Sequence, residues 1–168
     1  MELTARLERM LKAYSHYYDI EQDSALCHGF AATAIYHLRD ENYILNKANT
    51  VYATEQHEYV YFAVAEHVDK AQAQHWIDQS RTQGLKLIHP HKEHMFSYVT
   101  LMVIANTIDA DAKKLLKRYT YSKQYRLSLH GWMEYHIAAM EVETMSFLSN
   151  PVGKKARQNL RENFASEV

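Results

Sequence analysis

With 168 residues, 47% of them hydrophobic, the chain is long enough to bury one core, too short for two, and too apolar for wholesale disorder. Against 20 acidic side chains stand 19 basic ones, a formal net charge of -1, so no overall field draws in nucleic acid or an anionic membrane and only local patches can. The single cysteine, Cys27, excludes an internal disulfide and a thiolate-only metal cage; the lack of a long apolar run excludes a signal peptide or membrane helix and makes a cytoplasmic protein the expectation.

Leu3, Leu7, Met10, Leu11, Tyr14 and Tyr18 recur at helical spacing and predict a helix over about 3–18. Residues 19–28 read as a polar connector. Phe30, Ala32, Ala34, Tyr36 and Leu38 alternate as one face of a strand, and Arg39-Asp40-Glu41-Asn42 reads as a turn. Strands over about 43–53 and 57–68 follow, completing an antiparallel meander. In the last of these, Val60, Phe62, Val64 and Val68 take one face, and Tyr59, Tyr61, Ala63 and Ala65 the other.

The period then changes. Asp69 caps a helix running through Gln83, with Ala73, Trp76, Ile77 and Ser80 inward and Gly84 as its terminator. Ser97 to Thr107 is apolar on both faces, as in a central strand covered on both sides. Asp109 caps a short helix with Ala112, Leu115, Leu116 and Tyr119 buried. Tyr125-Leu127-Leu129 reads as a strand, Gly131 as a bulge or tight turn, and Trp132–Val142 as another strand. Met145–Leu148 closes a hairpin, and Asn150-Pro151 starts the last helix, with Val152, Ala156, Leu160 and Phe164 inward. The fold class is therefore α+β, a single domain with one mixed, mostly antiparallel sheet in the order α-β-β-β-α-β-α-β-β-β-α. A count of 13 Tyr against 4 Gly and 2 Pro fits long strands joined tightly.

Four groups of residues can carry chemistry. His89, His91 and His94 crowd one loop with Glu93 and are candidate metal ligands, against the alternative of an exposed polar loop. Glu55 and Glu58 flank His57, and Glu58 falls in phase with Val60 and Phe62, so its carboxylate is either desolvated or paired with a cation such as Lys47. Trp132, Glu134 and His136 share a strand face beside His130 and Gly131. They suit a pocket for a planar or cationic ligand, or else a cross-strand cluster. Lys113, Lys114, Lys117, Arg118, Lys123 and Arg126 are interleaved with Tyr119, Tyr121 and Tyr125, a combination that suits single-stranded nucleic acid as well as an ordinary solvated helix face.

No G-x-S-x-G elbow, phosphate loop or dinucleotide-binding glycine turn occurs. A restriction-endonuclease-like fold would need an acid such as Asp40 followed by a Glu-x-Lys element, and none follows at Glu55, Gln56 or Glu58.

The stretches ENYILNKANTVYATEQHEYVYF (41–62) and YRLSLHGWMEYHIAAMEV (125–142) resemble a family of small Firmicutes proteins of the clostridial type, about the length of this chain. The resemblance implies no activity, cofactor or catalytic residue, and directs attention to Glu55, Glu58 and His130-Gly131-Trp132. The expected role is a ligand- or partner-binding, regulatory domain. The rival reading is a metal-dependent hydrolase or nuclease using Glu55, Glu58 and the His89/His91/His94 loop. A homodimer is expected if helices leave the tyrosine-rich strand faces uncovered.

Overall fold

The helical stripe at the amino terminus forms α1 (Leu3–Tyr14), whose Leu3, Leu7, Met10, Leu11 and Tyr14 are buried. The computed structural model describes residues 2–23, 25, 27–43 and 51–164. After α1 come β1 (Asp19–Glu21), β2 (Ala32–Tyr43), β3 (Val51–Val68), α2 (Lys70–Leu87), β4 (His94–Ile108) and α3 (Ala110–Arg118). The chain continues through β5 (Ser122–Gln124), β6 (Trp132–Glu141), β7 (Ser146–Ser149) and α4 (Lys154–Phe164).

Among the described residues seven strands form one sheet, ordered β1-β2-β3-β4-β6-β5, with β7 also on β6. The middle is parallel: β3 runs with β4 and β4 with β6. Parallel neighbours need a crossover, which α2 supplies after β3 and α3 after β4. The other four pairings are antiparallel. β5 covers the start of β6 and β7 its end, so the two short strands share one edge.

Strand alternation divides the core in two. Tyr59, Tyr61, Val99, Leu101, Val103, Met133, Tyr135 and Ile137 pack with Ala73, Trp76 and Ile77 of α2 and Ala112 and Leu116 of α3. Val60, Phe62, Met102, Ile104, Ala138 and Met140 pack with α1 and with Ala156, Leu160 and Phe164 of α4. The apolar run of β4 thus feeds both layers, as its sequence predicts for a central strand.

Several boundaries differ from the sequence reading. Residues 39–42, read as a turn, lie within β2, which ends at Tyr43; residues 44–50 lie outside the described residues, and 51–53 run on into the strand placed at 57–68 as one long strand, β3. The polar stretch Thr54-Glu55-Gln56 stays extended because β2 pairs with β3 along its whole length, and Glu55 and Gln56 also pair with β4 on the other side. The connector contains β1, held by β2. Tyr125–Leu129 is not a strand: Arg126, Leu127 and Ser128 have positive φ values of 48°, 53° and 70°, which turn the chain back instead.

Helix α2 runs past Gly84 to Leu87. Gly84 is an inward contact point rather than a terminator, since a Cβ there would meet Val99 Cγ2 at 2.5 Å. The helix can lie that close to β4 only without a side chain at this position. α4 begins at Lys154, and the Asn150 side chain ties the turn before it to β6. Its Oδ1 accepts from the N–H groups of Ile137 (3.0 Å) and Gly153 (2.9 Å), and its Nδ2 donates to the carbonyls of Tyr119 (3.1 Å) and Tyr135 (2.8 Å).

Candidate functional site

The amino-terminal ends of β4 and β6 lie beside the middle of β3, so two rows of side chains cross the sheet there. Glu58 is in register with Tyr98, and Tyr98 with Glu134; Gln56 is in register with Phe96, and Phe96 with Trp132. All six are on the α1/α4 face. Glu55, His57 and Ser97, at odd positions, are on the other.

On the α1/α4 face a cleft of roughly 450 Å³ is lined by Tyr17, Tyr18, Tyr36, Glu58, Phe96 and Tyr98, with Lys155 and Asn159 of α4 on one wall. Glu58 is half-buried in it. Its Oε2 accepts from the Tyr18 hydroxyl at 2.6 Å and its Oε1 from the Thr100 hydroxyl at 2.8 Å. Among the described residues no cation pairs with it; Lys47, the partner the sequence suggests, lies outside them. The rings form two pairs on either side of Glu58: Tyr18 is 5.3 Å from Tyr36 between centroids, and Phe96 stacks on Tyr98 at 4.7 Å. Burial first, and then the Glu58 charge, push the phenols of Tyr14 and Tyr18 far above the ordinary tyrosine range. Tyr18 therefore remains a proton donor to Glu58 at any physiological pH.

Trp132, Glu134 and His136 do not line this cleft but back it. Trp132 lies against Phe96 (5.8 Å), His136 stacks on Tyr98 (4.4 Å), and Glu134 Oε2 is 3.2 Å from His136 Nε2. His130 offers its backbone rather than its ring: its carbonyl accepts from His94 Nδ1 at 2.6 Å. Gly131, at φ 77°, lets the chain pass beside this bond, since a Cβ would sit 2.2 Å from the Met95 carbonyl oxygen. The bend clamps β4 to β6.

The opposite face carries Glu55, His37, His57, His91 and His94. Glu55 Oε2 is 2.8 Å from His91 Nε2 and 3.5 Å from His57 Nε2. Burial would raise the Glu55 carboxyl, but the bonds to His91 and His57 outweigh it and hold it below the usual range. Burial, then His37, lower the His57 imidazole, with Glu55 partly offsetting them. Glu55 and Glu58 therefore face opposite ways, and the metal site combining them with His89, His91 and His94 does not form. His94 is buried with both nitrogens engaged, the second by Ser97 Oγ at 2.8 Å, and His89 is exposed. Among the described residues no group of three or more His, Cys, Asp or Glu is arranged to hold a metal.

The basic stretch also divides. Lys113 Nζ bonds Glu141 Oε2 at 2.8 Å. Lys114, Lys117, Arg118, Lys123 and Arg126 are exposed, whereas Tyr119, Tyr121 and Tyr125 pack against the core under Arg81 and Lys123. The helices do cover Tyr59, Tyr61 and Tyr135; among the described residues the large apolar side chains left most exposed are Leu127 (92%) and Leu129 (77%), on the turn after β5, and Tyr17 (78%), after α1.

Phase in the sequence identifies Glu58 but not the residues that complete its cleft. Tyr36 has the phase of Ala34 on β2, and Tyr98 and Thr100 that of Met102 on β4. Only the pairing of β2, β3 and β4 shows that these phases share a face. Among the described residues no helix is long and apolar enough to cross a membrane.

Residues 3–162 match the Domain of unknown function (DUF8052), and the chain belongs to that family. No curated protein and no solved structure matches it.

Proposed function

We propose that this family member is a ligand-binding domain whose cleft between α1, α4 and the sheet takes a small organic cation, an amine or quaternary ammonium with a flat or apolar body. One observation carries the reading: the Glu58 carboxylate stands in an aromatic-lined cleft, oriented by two neutral hydroxyls and neutralised by no described cation. Aromatic faces attract a cation by roughly 0.5–2 kcal/mol each, more when water is excluded, and a carboxylate beside them fixes its position. Among the described residues around Glu58 none pairs a nucleophile with a base, and the reading is one of binding.

Titration calorimetry with tetramethylammonium, a phenylalkylamine and their uncharged isosteres tests this. The cations should bind saturably and the isosteres weakly, and Glu58→Gln should remove the preference. Equal binding of charged and uncharged forms, or binding that survives Glu58→Gln, sinks the reading.

Nucleic acid fits less well, because Lys113 is tied to Glu141 and the interleaved tyrosines are packed inward. Salt-sensitive binding that weakens when Lys117 and Arg118 are neutralised would reverse that preference. Self-association into a homodimer draws its support from Leu127 and Leu129 rather than from the strand faces. A strict monomer by light scattering at high concentration removes it.

A further inference from the structure

On the sheet face opposite the cleft, His37 and His57 lie directly across from each other on β2 and β3, their Nδ1 atoms 2.5 Å apart. The neighbouring histidines are already committed. His91 Nδ1 accepts the Glu93 N–H at 3.2 Å, which places its proton on Nε2, the nitrogen facing Glu55. His94 donates from Nδ1 to the His130 carbonyl and accepts at Nε2 from Ser97. His37 and His57 alone turn two ring nitrogens toward each other. Glu55 Oε2, 3.5 Å from His57 Nε2, favours the tautomer with the proton on that nitrogen and the lone pair on Nδ1. Two imidazole nitrogens facing across one proton form a pair in which a metal ion can take the proton's place.

We propose that His37 and His57 chelate a divalent transition-metal ion (Cu²⁺, Ni²⁺ or Zn²⁺) through their Nδ1 atoms, with Glu55 orienting His57 and water completing the coordination. Metal–imidazole bonds of about 2.0–2.1 Å at a tetrahedral angle separate the two nitrogens by about 3.3 Å. The pair must therefore open by about 0.8 Å, starting from the 2.5 Å contact. His37 is exposed on β2 and can swing outward, moving its proton to its other ring nitrogen as the ion enters. Neutral imidazoles favour these ions over Mg²⁺ or Ca²⁺, which require oxygen ligands. A carboxylate behind a ligating histidine fixes its tautomer and raises its basicity.

Calorimetric titration of the full chain with each ion at neutral pH is the test. One ion should bind per chain, Cu²⁺ most tightly. His37→Ala and His57→Ala should each abolish saturable binding, Glu55→Gln should weaken it about tenfold, and His91→Ala should leave it unchanged. Thermal melts check that every variant is folded, and the rise in Tm that the ion gives the wild type should vanish in the His37 and His57 variants. Binding retained by either of those two variants overturns the proposal. Loss of binding in a folded His91→Ala variant also overturns it, because the ion would then lie on the Nε2 side, between Glu55, His57 and His91.

Discussion

Glu58 and Glu141 are carboxylates drawn into opposite faces of one sheet, and they are held in different ways. Glu141, at the end of β6, faces α3 and is met by a full charge, Lys113 Nζ at 2.8 Å. It also accepts the Ile108 backbone N–H at 2.9 Å and the Thr144 hydroxyl. Glu58, in the middle of β3, is met among the described residues only by the hydroxyls of Tyr18 and Thr100. A carboxylate bonded to a cation and a backbone donor is tied into the fold. One oriented by neutral donors keeps its net charge and directs it into the cleft. Burial of an acid therefore does not by itself mark a site; the nature of its donors distinguishes the two.

The largest expected effect comes from removing the charge at the well-anchored end. Glu141→Gln keeps the volume but leaves Lys113 without its partner, and should cost about 3 kcal/mol in urea unfolding at neutral pH while leaving cation binding intact. The pH dependence carries the same signature. Burial acts to raise the Glu141 carboxyl, but Lys113, Thr144 and the Ile108 N–H together pull it down to about 2 from an ordinary 4.5. A carboxyl lowered on folding contributes stability that is complete above its unfolded value and drains away as pH falls through the folded one. From about pH 4.5 down to about 2 the wild type should lose about 3 kcal/mol more than the Gln variant. Parallel loss in the two proteins would erase the contrast between the carboxylates.

Glu58→Gln should do the reverse. Its amide oxygen still accepts from a hydroxyl, so the loss of stability should stay below about 1 kcal/mol, while affinity for an ammonium probe falls at least about tenfold. A large stability loss with unchanged affinity would place Glu58 in the same class as Glu141.

The contrast was half legible in the sequence. The phase of Glu58 with Val60 and Phe62 put its side chain on the right face, because a period of two along β3 is local information. Its donors are not local: Tyr18 lies 40 residues away and Thr100 42 residues away. Tyr18 fits the α1 stripe, yet α1 stops at Tyr14, and Tyr18 points into the cleft from the turn beyond. The fold class and element order were readable because α1, α2 and β4 each repeat a clear period. Strand limits were harder wherever polar residues stay extended through pairing on both sides, as at Glu55 and Gln56. His37 opposite His57 depends on the β2–β3 register, which no local pattern specifies.

The smallest expected effect is also the one with the least obvious sign. Lys155 is exposed on α4 and, among the described residues, is the one cation lining the cleft. If the ligand is a simple organic cation, Lys155 opposes it weakly across solvent, by a few tenths of a kcal/mol. Lys155→Ala should then tighten tetramethylammonium binding about twofold at low salt, with no change at high salt, where screening removes the repulsion. Stability should not move, because an exposed lysine contributes little to the folded state. Weaker binding in this variant would mean that the ligand carries an acceptor or anionic group which Lys155 holds. The cleft would then recognise a zwitterion, with Glu58 at one pole and Lys155 at the other.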